Sequence, residues 1–220
     1  MTTKRRTTTN ETTIQLYQNQ QKYITMSDDK YKNKYRIPTN RLQGYDYGSK
    51  GCYFVTICTN NREHYFGEIV NGEMQLSKIG EIAQTEWLKT KELRPDMNLL
   101  LDAFIVMPNH FHGIVCIGDN QYNMCDTPCR DAMHCVSTEP TTQYKNNFGA
   151  QSKNLASIIR GYKISITTYA RKHNIDFEWQ ERFHDRIIRD DNGLNIVRQY
   201  IFNNPKNWND DELNNKNDEL

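Results

Sequence analysis

The sequence predicts an α+β domain: one mostly antiparallel sheet with helices packed on a face. Three observations predict it. Short β-branched and aromatic runs alternate with longer stretches whose apolar residues recur at helical spacing. Two apolar runs, Leu99 to Met107 and Phe111 to Ile117, are joined tightly around Pro108-Asn109 and read as an antiparallel pair. The element order is β, α, β, β, insertion, α, β, α, with no internal repeat.

Each element has a local reason. Residues 1–34 are rich in Thr, Asn and Gln and lack periodicity, so they read as a basic, largely disordered lead. Order is expected from about Tyr35, and the domain is expected to span 35–208. Gly51 to Thr59 is a buried strand by composition. Gly67 to Leu76 is a short extended piece that turns at Asn71-Gly72. Ser77 caps a helix whose stripe is Ile79, Ile82, Ala83, Trp87 and Leu88, ending near Lys91. After the paired strands, 118–147 is polar and reads as a surface insertion. Helix resumes near Ser152 with Leu155, Ile158, Ile159, Tyr162, Ile166 and Tyr169 on one face. Phe177–Gln180 and Phe183–Arg189 read as β segments. A last helix, Leu194 to Asn203, is capped at or near Asp191-Asn192. Residues 209–220 read as an acidic flexible tail.

Composition narrows the function classes. The formal net charge is +1, so total charge selects no partner. Its distribution is uneven: residues 1–50 hold ten Lys/Arg against four Asp/Glu, a lead able to help hold a polyanion. No run approaches membrane-spanning length and no signal peptide is evident, so a cytoplasmic location with free thiols is expected. Cys52, Cys58 and Cys116 fall in apolar runs and read as small core residues. Cys125, Cys129 and Cys135, with His134, have a spacing uncommon for zinc.

The chemistry concentrates in Met107-Pro108-Asn109-His110-Phe111-His112. Side chains alternate across a strand, so His110 and His112 share a face and Phe111 takes the other. Two imidazoles side by side on a rigid strand form a metal-ligand pair, although a hydrogen-bonded polar pair at a sheet edge has the same pattern. Tyr200 and Asn204 are separated by four residues, which places them on one face of the last helix.

The histidine motif is followed by Trp179-Gln180-Glu181-Arg182-Phe183-His184-Asp185 and then Tyr200-Ile201-Phe202-Asn203-Asn204-Pro205. In this order, over roughly Tyr35 to Trp208, the motifs resemble the REP-associated tyrosine transposases, a branch of the single-tyrosine HUH transposases. The resemblance implies a ferredoxin-like HUH fold and strand transfer of single-stranded DNA, with a hairpin, through a 5′-phosphotyrosine. It implies Tyr200 as nucleophile, with His110, His112 and Asn204 holding Mg²⁺ or Mn²⁺. Lys163 is the best candidate for gripping DNA, and Arg160, Arg182, Arg186 and Arg189 are further candidates. The insertion 118–147 has no place in the family pattern. The resemblance leaves monomer against homodimer open, because related enzymes differ in whose active site the tyrosine serves.

Other readings share these residues. Tyr162 and Tyr169 are rival nucleophiles, and the Asn204-Pro205 context favours Tyr200. His184 and Asp185 read as a buried structural pair that is also placed to move protons. A nuclease using water, a DNA-binding protein without catalysis, and a replication-initiator relative are alternatives; 220 residues leave no room for the helicase that last class carries.

Overall fold

The computed structural model describes residues 41–42, 44–124 and 152–214. Those from Gly44 onward belong to one compact unit. Residues 1–40, 43, 125–151 and 215–220 lie outside the described residues, and with them the expectations for the basic lead, for Cys125, Cys129, Cys135 and His134, and for the end of the acidic tail.

Among the described residues six strands and three α-helices follow in order: β1 Gly51–Cys58, β2 Gly67–Val70, β3 Glu73–Leu76, α1 Lys78–Glu92, β4 Leu99–Val106, β5 His110–Ile117, α2 Leu155–Lys172, β6 His184–Ile188 and α3 Asp191–Asn203. β2 and β3 form a separate hairpin, and the main sheet has the order β4-β5-β1-β6. Every pairing in it is antiparallel. Without the hairpin, the chain runs β1-α1-β4-β5-α2-β6, which is the ferredoxin-like topology. The expected α+β class is the observed one.

The helices form where their local chemistry permits. The Ser77 side chain accepts from Gly80 N and starts α1. Asn154 and Ser157 form a reciprocal capping box on α2. Asp190, one residue before the expected cap, accepts from Gly193 N and starts α3, with Asp191 in the first turn complementing the dipole. α3 ends at Asn203, with Asn204 as its αR cap and Pro205, which lacks an N–H, directly after it.

Alternation along the strands splits the sheet into two unlike faces. One face packs Tyr53, Val55, Ile57, Phe111 and Val115 against Trp87 of α1 and Ile158, Tyr162 and Ile166 of α2. The other packs Ile114 and Cys116 against Val197 and Ile201 of α3. Helices were expected on one face; the third covers the opposite one. Gly113 has a packing role: a Cβ there would come within 2.7 Å of the Phe111 ring and 2.9 Å of Trp87.

Two further expectations are corrected. Cys52 and Cys116 are not free thiols. They are direct partners across β1 and β5, and this opposition brings their sulfurs into a disulfide. Among the described residues Cys58 is the free thiol, and it is buried. Residues 209–214, expected in a flexible tail, are tied to the domain. Asn109 Nδ2 donates to Leu213 O at 2.7 Å, and Arg62 donates to Glu212 O at 2.7 Å. Within the expected insertion, Asn120 is buried and its amide donates to Met97 O and Gly118 O.

Candidate active site

The site lies where the start of β5, the end of β1, α3 and the segment after α3 meet. His110 pairs across the sheet with Cys58, and His112 with Thr56. Period-two alternation turns both imidazoles toward α3, and their ring centroids are 4.4 Å apart. Both histidines are buried, with His110 at 0% exposure.

Tyr200 reaches this pair from α3. Its hydroxyl is 3.2 Å from His112 Nε2. The other nitrogen of His112, Nδ1, is 2.8 Å from Thr56 Oγ1. The Phe54 ring flanks both, with centroids 5.3 Å from His112 and 6.0 Å from Tyr200. Asn204, one turn beyond Tyr200, is buried and donates from Nδ2 to Asp211 Oδ2 at 3.2 Å. His110 Nδ1 meets Asn109 Oδ1 at 2.8 Å.

Two buried polar atoms in this cluster lack hydrogen-bond partners: His110 Nε2 and Asn204 Oδ1. Both carry lone pairs that ligate cations, and a buried polar atom left unmet is costly. The donor set of His110, His112 and Asn204 therefore fits a divalent cation. Among the described residues no group of three or more His, Cys, Asp or Glu is arranged to hold a metal, so the amide oxygen is essential to the fit.

Electrostatics keep the resting site neutral. Burial, with neighbouring His112 second, pushes His110 well below the usual imidazole value. Burial takes His112 down to about 3. Tyr200 moves up, chiefly through burial and then through the Asp211 carboxylate. The phenol and the neutral imidazole share one hydrogen bond, its direction set by the His112 tautomer. Both shifts oppose moving the phenol proton to His112. The pair does not ionise unaided.

The rival tyrosines lie on α2, whose packed face is on the opposite side of the sheet. Tyr162 is in the core against Trp87 and Phe111, and the Tyr169 ring stacks on His173 at 4.3 Å. Lys163, expected at DNA, directs Nζ to Gln180 O at 2.6 Å and Arg182 O at 3.2 Å, and burial lowers it to about 8. Arg186 stands opposite Phe54 and so shares the histidines' face. Arg160, Arg182 and Arg189 are exposed. His184 is exposed beside Thr56, which corrects the expectation of a buried His184–Asp185 pair.

Sequence reasoning missed Thr56, Asp211 and the Asp102–Arg198 pair. Arg198 of α3 grips Asp102 of β4 through two bonds, at 2.9 and 2.6 Å. Strand composition gives no cross-strand register, which hid Thr56. An acidic tail reads as solvated, which hid Asp211.

Comparison with known proteins places the chain among relatives. It is 34% identical over 174 residues to an uncharacterized protein of Haemophilus influenzae, covering 79% of this chain and 90% of that one. The chain belongs to the same family as that protein. No family model matches it. Among solved structures it is similar to a REP-associated tyrosine transposase bound to a REP hairpin, with a TM-score of 0.49 at 18% identity, covering 77% of this chain and 74% of that chain. It is also similar to a candidate transposase of Deinococcus radiodurans, with a TM-score of 0.33 at 16% identity, covering 75% of this chain and 97% of that chain. No helix among the described residues is long and apolar enough to cross a membrane.

Proposed function

We propose that this member of the family nicks and rejoins single-stranded DNA through a covalent tyrosine intermediate, as a transposase does. The observation that carries the reading is the Tyr200 hydroxyl 3.2 Å from His112 Nε2, in a pocket where His110 Nε2 and Asn204 Oδ1 have no partner. The three ordered sequence motifs support the same reading, and a hairpin-bearing single strand is the substrate they imply.

Tyr200 supplies the attacking oxygen. A bond forms from the phenolic oxygen to the scissile phosphorus as the bond to the 3′-side oxygen breaks. That oxygen leaves as a 3′-hydroxyl, taking up the proton the phenol gives up. The 5′ end stays attached as a phosphotyrosine. Attack by a 3′-hydroxyl on this link rejoins DNA and returns the phenol. One phosphodiester replaces another at each step, so no nucleotide hydrolysis is required.

His110, His112 and Asn204 would hold a divalent cation. Imidazoles alone favour Zn²⁺ or Cu²⁺; the amide oxygen and the motif resemblance favour Mg²⁺ or Mn²⁺. When bound, such a cation supplies Lewis-acid charge at the phosphate and at the developing phenolate. Thr56 fixes the His112 ring, and Phe54 and the α3 packing keep water from the phenol. Arg186 lies on the site face, where it would meet the backbone of an entering strand.

A single-stranded hairpin oligonucleotide from the gene's flanks, nicked so that the released fragment diffuses away, tests the reading. With Mg²⁺ it yields a protein–DNA species that survives denaturing electrophoresis. EDTA and Tyr200→Phe each abolish it. Cleavage that persists in Tyr200→Phe without any such species establishes a water nucleophile instead, and DNA binding with no cleavage under any divalent metal establishes a catalytically silent protein.

A further inference from the structure

The segment just after α3 reaches the side chains of both unsatisfied atoms, Asn204 directly and His110 through Asn109. Asn109 Nδ2 donates to two backbone carbonyls, Arg62 O at 3.2 Å and Leu213 O at 2.7 Å. Carbonyls only accept, so the NH₂ must lie on that side and Oδ1 on the other. Oδ1 meets His110 Nδ1 at 2.8 Å, so His110 carries its proton on Nδ1 and presents a bare Nε2. On the opposite side, Asp211 Oδ2 takes the Nδ2 bond of Asn204 at 3.2 Å, while its Oδ1 is held by Leu213 N at 2.8 Å. A carboxylate cannot donate, so the Asn204 amide is fixed with Oδ1 turned away from Asp211.

We infer that Asp211 is a positioning residue which, with the Leu213 carbonyl, turns the lone pairs of Asn204 and His110 into the cation-binding pocket. The inference rests on the proposed metal centre and deepens it. Two residues beyond the helix, Asp211 and Leu213, set the orientation of two ligand atoms that lie 94 positions apart (110 and 204) in the chain. Without Asp211 the amide of Asn204 is free to turn, and its NH₂ then faces the cation as often as its oxygen. Loss of an orienting partner of this kind weakens metal binding by about 10- to 100-fold.

The test is Mn²⁺ affinity of the full-length protein without DNA, read by calorimetry or electron spin resonance beside a metal-free thermal melt. Asp211→Ala, and the isosteric Asp211→Asn as the gentler change, are expected to bind at least about tenfold more weakly with metal-free melts close to the parent. Glu212→Ala, whose side chain is exposed, keeps parental affinity. In the metal-free parent, nitrogen NMR is expected to show His110 as the Nδ1–H tautomer. Parental affinity in Asp211→Asn, or a His110 Nε2–H tautomer, overturns the inference. If His110→Ala binds Mn²⁺ as tightly as the parent, or the parent binds none, the metal centre falls and the inference with it.

Discussion

At the scale of single residues, the pair of buried neutral imidazoles has a consequence for acid stability. His110 and His112 are both held below the ordinary 6.5, His112 at about 3, by burial. The unfolded chain takes up protons below about pH 6.5 that the folded chain refuses, so stability is full above that pH and declines as pH falls toward 3. Between pH 6.5 and 5 His112 accounts for up to about 2 kcal/mol, and His110 acts in the same direction. Metal-free urea unfolding at pH 7 and pH 5 is expected to show the loss, and His112→Asn to show a smaller one; a pH-independent midpoint would contradict burial of both rings. Thr56→Val removes the partner of His112 Nδ1 and leaves that buried nitrogen unmet, at an expected cost of about 1–3 kcal/mol in the same assay. The two histidines were legible in the sequence because period-two alternation is a local rule. Thr56 was not, because the register between β1 and β5 depends on chain segments more than 50 residues apart.

At the scale of elements, α3 acts as the carrier of the reactive phenol. Its spacing puts Val197 and Ile201 into the sheet and Tyr200 and Asn204 over the histidines. The helix and its four-residue pairing were readable from sequence, since cap, stripe and terminating proline are all local signals. What locks its position was not. Asp102 sits in the register shift of β4 between Leu101 and Phe104, and from there binds Arg198 through both oxygens. The pair is partly exposed, so its contribution to overall stability is expected to be small. Its effect on the placement of Tyr200 is expected to exceed that. Arg198→Ala should lower single-turnover adduct formation severalfold while moving the melting temperature only slightly, and equal loss in both would reduce the pair to a stability role.

At the scale of the whole molecule, the sheet divides two tasks. One face, filled by α1 and α2, holds the large aromatic core; the other holds the polar centre under α3. Gly113 belongs to the first: Gly113→Ala pushes a methyl into Phe111 and Trp87 and is expected to cost about 1–3 kcal/mol by thermal unfolding. The Cys52–Cys116 link staples the central strands, and a reductant is expected to lower the unfolding free energy by about 2–4 kcal/mol, with two further thiols becoming reactive after denaturation. Composition suggested free thiols because it records what each cysteine is surrounded by in sequence and not what lies opposite it in the sheet. The division of faces also excludes the α2 tyrosines from the histidine side and, among the described residues, leaves Tyr200 as the phenol at that centre. Peptide mapping of the trapped DNA adduct by mass spectrometry tests this most directly. The account predicts a 5′-phosphonucleotide on Tyr200, in the peptide that ends at Lys206. A nucleotide on Tyr162 or Tyr169, or cleaved DNA with no modified tyrosine, would contradict it.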